Sequence, residues 1–292
     1  MNPIAFEIGP ISVHWYGILI VTGILSATYL ASYMARLRGK DPEFIWDALI
    51  WCVVLGLAGA RLYHVLTPTP SMGVGRWYYF QHPAKIFALW EGGLGIYGAV
   101  AGGILGLYIV TRRAKEKLLV WIDIIVPGLA LAQAIGRWGN FVNQELYGRP
   151  TDLPWAIFID AQHRLSGYEM YERFHPTFLY ESIWNLLTCL VLVYLTWRYR
   201  DKIMLGLTTG LYFLSYALIR FVLEFVRLDS AAIGSITIAQ LVSLCVILAF
   251  SVFLAWRTKV HRRQGAEERV GGDSIQSYTE DPQRGTKEET YG

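Results

Sequence analysis

The chain has 292 residues, 54% of them hydrophobic and only 17% charged, with a formal net charge of +3 at pH 7. That is too apolar, and its charges are too unevenly spread, for an ordinary soluble domain. The positive excess sits in short segments between apolar runs, where membrane topology accounts for it, so it gives no reason to invoke nucleic acid.

Seven runs, near 12–34, 44–66, 87–110, 119–136, 177–197, 203–225 and 236–256, are each long enough to cross roughly 30 Å of hydrocarbon as a helix. The predicted fold is therefore an all-α polytopic membrane protein of about seven transmembrane helices. The first run lacks a small-residue cleavage site and leads into further spans, so it reads as a retained helix rather than a removed signal peptide. Arg36, Arg38 and Lys40 follow the first span, and Arg112, Arg113, Lys115 and Lys117 the third. Arg198, Arg200 and Lys202 follow the fifth, and Arg257, Lys259, Arg262 and Arg263 the seventh. By the positive-inside rule those segments are cytoplasmic, which puts the N-terminus outside and the C-terminus in the cytoplasm.

The segment between the fourth and fifth spans, about 140–175, then lies outside. Pro150, Pro154 and the apolar-rich Trp155-Ala156-Ile157-Phe158-Ile159 predict a small strand-bearing external cap there. Residues 1–256 are expected to form one membrane domain that includes this cap. Residues 257–292 are expected to be a disordered cytoplasmic tail, because beyond Gln264 almost no large apolar side chain is available for burial. Cys52, Cys189 and Cys245 all fall inside apolar runs and read as small core residues, with no disulfide or metal assigned.

The polar residues inside this apolar chain fall toward the external span ends. His14-Trp15-Tyr16-Gly17 opens the first span, where an aromatic belt is the ordinary reading. The third span holds Glu91-Gly92-Gly93-Leu94-Gly95-Ile96-Tyr97-Gly98, then Gly102, Gly103 and Gly106. So much glycine permits close backbone approach by another helix or a lipid, and Tyr97 adds a hydroxyl to that crowded surface. At the end of the fourth span, Gly136-Arg137-Trp138-Gly139-Asn140-Phe141-Val142-Asn143-Gln144-Glu145-Leu146-Tyr147-Gly148 concentrates a cation, three amides and a carboxylate. Polar groups at membrane depth are costly to desolvate and mark binding or catalytic sites, and an arginine fork suits phosphate. His175-Pro176-Thr177-Phe178-Leu179-Tyr180-Glu181 opens the fifth span, with Pro176 suited to a first helical turn. In the sixth span Tyr216, Arg220, Glu224 and Arg227 are spaced i, i+4, i+8 and i+11, along one helix face. Glu224 pairs with one arginine there, either as a simple internal ion pair or in a way that leaves positive charge for a phosphate-bearing ligand.

The chain has no His-Glu-x-x-His motif, no Gly-x-Ser-x-Gly elbow, no Walker loop and no aspartate cluster for Mg²⁺. What remains is arginine recognition of a phosphate headgroup with a tyrosine, histidine or carboxylate for proton transfer. From these residues alone the chain is a lipid-modifying enzyme, a transporter of an anionic or lipid substrate, or a protein that binds anionic lipid. No internal repeat is evident, and the polar residues do not continue to mid-membrane as a transport route requires.

The Gly136–Gly148 segment closely resembles the signature of the bacterial prolipoprotein diacylglyceryl transferases, and the resemblance runs from His14 to about Trp256. It is carried by five segments in the family's order: the first-span opening, the Gly-rich third span, the Asn-rich motif, the His175–Glu181 motif and the Tyr216–Arg227 stripe. The resemblance implies an enzyme of the bacterial cytoplasmic membrane that performs the first step of lipoprotein maturation. It would move the diacylglyceryl group of phosphatidylglycerol onto the lipobox cysteine thiol in the signal peptide of a preprolipoprotein, forming a thioether and releasing glycerol phosphate. It further implies that Arg137 and Arg220 contact the phosphate, that Asn140, Asn143 and Glu145 shape the headgroup site, and that Tyr16 and Tyr216 orient the lipid. His175, Glu224 and Arg227 complete the substrate-binding set. No metal or dissociable cofactor is implied. In one respect the chain departs from the pattern: many family members carry a histidine where this chain has Tyr97. The resemblance makes Tyr97 a candidate for proton transfer, yet a tyrosine of reference pKa about 10 is a poor base unless its phenolate is stabilised. The acceptor thiol, of reference pKa about 8.5, can instead react as thiolate after losing its proton elsewhere.

Overall fold

The computed structural model describes residues 2–9, 11–68, 75, 77–89, 92–200, 202–228, 232–233 and 236–279. An antiparallel hairpin of β1 (Ile4–Ile8) and β2 (Ile11–His14) precedes α1 (Trp15–Leu37) and α2 (Glu43–Leu66). The single-turn α3 (Tyr78–Gln81) is followed by α4 (Ile96–Arg113) and α5 (Leu118–Asn143). A cap segment carries the short pair β3 (Ile157–Phe158) and β4 (Arg173–Phe174). Then come α6 (Thr177–Arg198), α7 (Leu207–Leu223), the pair β5 (Ala232–Ile233) and β6 (Ile236–Thr237), and α8 (Ile238–Thr279).

Five of these helices, α1, α2, α5, α6 and α8, are long and apolar enough to cross a membrane by length and composition. α4 and α7 are apolar but shorter, with 18 and 17 residues. At 1.5 Å per residue each rises about 26 Å, close to a hydrocarbon thickness of about 30 Å. The outward faces are apolar: Ile50, Val54, Leu62, Leu190, Val191, Val242 and Leu248 are all exposed, as side chains facing lipid should be.

Small residues set how the helices meet. Gly98, Gly102 and Gly106, one turn apart on α4, lie against the backbone of Gly59, Leu55 and Trp51 on α2, and a Cβ at any of them would collide with main-chain atoms. Close glycine packing between spans is therefore what this stripe does. α1 packs mainly on α5, α5 also on α6, and α7 on α8. Near one end of the bundle Phe44 stacks on Trp121 within a core that includes Met34, Ile45, Leu107 and Ile124.

α5 contains Pro127. A proline cannot donate to the carbonyl four residues back, which frees the Asp123 carbonyl. Thr208 Oγ1 donates to that carbonyl at 3.0 Å. The fully buried Asp123 carboxylate also accepts from Gly206 N at 2.6 Å, Thr209 N at 2.9 Å and Thr209 Oγ1 at 2.5 Å, so it caps α7 from another helix. Arg38 Nη1 lies 3.5 Å from the same carboxylate. The apolar reading of the fourth span passed over this charge.

Several expectations need correcting. The third span was expected from residue 87, but α4 begins at Ile96. Arg61 on α2 supplies the reason: it donates to the carbonyls of Lys85, Ile86, Gly92 and Gly93 at 2.5 to 3.1 Å, taking acceptors that a helix would need. Gly93 adopts φ +71° in this segment, with His64 and Arg61 side chains where a Cβ would stand. Glu91 lies outside the described residues. Tyr97 is 72% exposed rather than part of the crowded face, because it sits about 100° around the helix from the Gly98 stripe. The first helix starts at Trp15, not residue 12, since Ile11–His14 form β2. α8 runs through the polar segment after Arg257 to Thr279. An existing helix end needs no new nucleus, so Ala266, Glu267, Glu268 and Arg269 extend it readily. The remainder of that tail, 280–292, lies outside the described residues.

Candidate functional site

The last turns of α5 carry Arg137, Trp138, Gly139 and Asn140, and the helix ends at Asn143. Gln144 closes it in the left-handed region (φ +53°), with Gln144 N bonded to Phe141 O at 3.1 Å and Glu145 N to Asn140 O at 3.0 Å. This is a Schellman termination with glutamine where glycine is usual. A side chain in that conformation costs about 1–2 kcal/mol. Gln144 offsets the cost by fastening the cap: its Nε2 donates to Asp160 Oδ2 at 2.5 Å and its Oε1 accepts from Asp160 N at 2.6 Å. That hydrogen bond from Gln144 is the main reason the Asp160 carboxyl is held below its ordinary value.

The reversal also brings Glu145 back over the helix end. Its Oε1 accepts from Asn140 Nδ2 at 2.8 Å and Asn143 Nδ2 at 3.4 Å. Asn140, 7% exposed, uses its other amide atom to accept from Arg137 Nη1 at 3.3 Å. Arg137 Nη2 in turn pairs with Glu181 Oε2, and the other oxygen of Glu181 lies 3.7 Å from Arg227 Nη1. One chain of polar contacts thus runs Glu145, Asn140, Arg137, Glu181, Arg227, joining the end of α5, the first turns of α6 and the segment after α7.

Backbone pairing fixes that junction. Gly148 N donates to His175 O at 2.9 Å, His175 N to Arg149 O at 3.0 Å and Arg149 N to Val226 O at 2.8 Å, and Gly148 forms a bridge with Arg227. Gly148 is packed against His175, Val226 and Thr177, so only a residue without a side chain fits between the three strands of chain. Thr177 Oγ1 adds a bond to Leu146 O. The stripe expected through Arg227 is cut short by this arrangement: α7 ends at Leu223, and Arg227 is placed by its bridge to Gly148 rather than by helical spacing.

Arg220 and Glu224 do share the end of α7, with Nη2 and Oε2 3.1 Å apart, near enough for charge attraction though not aligned as a hydrogen bond. Glu224 is buried, and Arg220 Nη1 is buried without a hydrogen-bond partner among the described residues. Tyr216, one turn earlier, stacks on the buried Tyr212 with centroids 6.4 Å apart. The Tyr16 ring occupies the place where a Cβ at Gly139 would stand, which brings the start of α1 against the Arg137 end of α5. His175 Nδ1 is 3.1 Å from Tyr180 Oη, which also accepts from Trp155 Nε1 at 2.8 Å. The indole can only donate, so the tyrosine proton is free to point at Nδ1, and a neutral His175 then carries its own proton on Nε2.

Tyr97 stands apart. Its ring meets Tyr63 of α2 at 5.7 Å, and among the described residues no hydrogen bond joins it to the arginines. Sequence reasoning quoted Glu181 and Gln144 inside motifs but gave neither a role. A charge in the first turns of an apolar span was the available signal for Glu181.

A family model described as prolipoprotein diacylglyceryl transferase matches residues 3–256. Among curated proteins, the phosphatidylglycerol–prolipoprotein diacylglyceryl transferase of Synechococcus elongatus is 45% identical over 87% of this chain and 87% of its own. The protein of that name from Gloeobacter violaceus is 42% identical over 91% of this chain and 96% of its own. The one from Symbiobacterium thermophilum is 43% identical over 88% and 92%.

Proposed function

The chain belongs to the prolipoprotein diacylglyceryl transferase family, and from that premise we propose how its residues carry the reaction. It is a membrane-embedded transferase that moves the diacylglyceryl group of phosphatidylglycerol to a prolipoprotein. The acceptor is the lipobox cysteine in the signal peptide. Its sulfur, as thiolate, attacks the glyceryl carbon that bears the phosphate; a C–S bond forms, the C–O bond to phosphate breaks, and glycerol phosphate leaves with the electron pair. The phosphate goes from one negative charge to two as it departs.

Arg220 and Arg137 take up that charge. The observation that carries this reading is the Nη1 of Arg220, buried and without a hydrogen-bond partner among the described residues, a donor that is costly to bury unless an anion satisfies it. Arg137 has five N–H donors and commits two of them to Asn140 and Glu181, which leaves three for phosphate oxygens. Glu145 receives both amides on Oε1, leaving Oε2 to accept a hydroxyl of the headgroup glycerol. Asn140 and Asn143 hold it there. Tyr16 and Tyr216 border the acyl side, and His175 offers Nε2–H as a donor. The proton of the thiol leaves before attack and does not pass to Tyr97.

The same reading puts the site at the outer face of the bacterial cytoplasmic membrane. The basic residues after α1, α4, α6 and in α8 stay inside, the N-terminus lies outside and the C-terminus in the cytoplasm. The test is to incubate the purified protein with labelled phosphatidylglycerol and a lipobox peptide, beside a peptide whose cysteine is serine. A diacylglyceryl mass shift on the cysteine peptide alone, with equimolar glycerol phosphate released, is the expected result; a shift on the serine peptide refutes thiol attack.

A further inference from the structure

Glu181 is 3% exposed, in the first turns of α6, and each of its two oxygens faces a different arginine: Oε2 meets Arg137 and Oε1 lies 3.7 Å from Arg227. The two guanidinium groups come from the end of α5 and from the segment after α7, elements that touch the site from opposite sides in sequence. Without a carboxylate between them they would repel in a poorly hydrated environment. We propose that Glu181 is a positioning residue for the transfer reaction: it sets the direction of the Arg137 fork and locks Arg227 to it.

The geometry gives this role its content. Arg137 is gripped at both terminal nitrogens, by Asn140 on its own helix and by Glu181 on the next. With the side-chain stem as a third point, the two held nitrogens fix the plane of the guanidinium, so its remaining N–H groups have one direction in which to point. Arg220 is held differently, by Glu224 at the end of its own helix, and its Nη1 has no hydrogen-bond partner among the described residues. Arg137 and Arg227 share the single carboxylate of Glu181, so this trio carries one surplus positive charge, while the charge of Arg220 is offset by Glu224. Removing the Glu181 charge would weaken the second anchor of Arg137 and raise the surplus to two. The fork would then turn to solvent, and stabilisation of the departing phosphate, which needs donors fixed in advance, would be lost.

This inference rests on the arginine reading of the site, and the experiment separates the two. Transfer kinetics and melting midpoints are measured for the wild type, Arg137→Gln, Glu181→Gln and Glu181→Asp. The expected result is a kcat about 100-fold lower in Glu181→Gln, of the size seen when one preorganised donor is lost. The KM for phosphatidylglycerol should change much less. Glu181→Asp, which keeps the charge on a shorter arm, should recover about tenfold of that loss, still short of the wild-type rate, at an equal melting midpoint. Wild-type kcat in folded Glu181→Gln, or equal kcat in Gln and Asp variants, overturns the proposal. If Glu181→Gln does not fold, Glu181→Asp decides: reduced kcat at an unchanged midpoint supports positioning, and wild-type kcat overturns it. A fully active Arg137→Gln would instead overturn the arginine reading itself.

Discussion

Gln144 is the residue where a backbone cost and a functional placement meet. Its left-handed conformation turns the chain so that Glu145 reaches Asn140, and its side chain pins Asp160 of the cap. Gln144→Ala keeps the costly backbone and loses both bonds to Asp160, so it should lower the melting midpoint and speed proteolysis of the cap. Gln144→Gly, which relieves the backbone, should lie between Ala and wild type. The Asp160 carboxyl is held below its ordinary value, chiefly by Gln144. A depressed folded-state value means that its stabilising contribution is present above the unfolded carboxylate pKa of about 3.9 and is lost as pH falls through the lowered folded value. Proteolysis of the cap should therefore stay slow down to about pH 4 and accelerate below it, and Asp160→Asn should remove that step. Tyr97 gives the opposite case: it is exposed and, among the described residues, its ring meets Tyr63 and no cation that would stabilise a phenolate. Tyr97→Phe should keep transfer within about twofold of wild type; a loss of a hundredfold at equal lipid KM would restore it as a proton acceptor.

At the scale of elements, two devices hold the helices that frame the site. The α2–α4 contact depends on glycines whose place no side chain can take, so Gly102→Leu should cost at least about 1–3 kcal/mol, read as a lower melting midpoint in detergent. The α5–α7 contact depends on Asp123, and Asp123→Asn should leave Arg38 without its counter-charge. Breaking a buried pair in this way costs about 3–5 kcal/mol, while the fraction that stays folded should transfer with a normal KM for phosphatidylglycerol. These elements also show why some features were legible in the sequence and others not. Apolar length is a local property, so the seven runs stand out. The start of α4 was misplaced because hydropathy does not register the carbonyls that Arg61 withdraws from helix formation. The Arg137–Glu145 motif announced a polar site because charge inside an apolar run is visible without a structure. That Arg227 leaves the α7 face was not visible, since Phe225 and Val226 carry no turn signal and the bridge to Gly148 is a contact between distant residues. Glu181 was visible as a charge, but its two partners exist only once α5 and the post-α7 segment have come together.

The whole molecule separates its tasks along its length. The basic residues that follow α1, α4 and α6 gather at one end of the bundle, with Lys40 paired to Glu116 at 2.8 Å and Arg38 to Asp123. The arginine chain lies at the other end, under a cap built on Tyr147, Ile159 and Phe174. Between them the outward faces are apolar, so a lipid can approach from the side, and on the proposed reading its headgroup then meets Arg137 and Arg220. The most direct measurement is steady-state transfer by wild type, Arg137→Gln and Arg220→Gln in the same phosphatidylglycerol micelles. The account expects each variant to remain folded and lose about 100- to 1000-fold in kcat. Two folded variants that transfer at the wild-type rate would contradict it, because the departing phosphate would then be stabilised elsewhere.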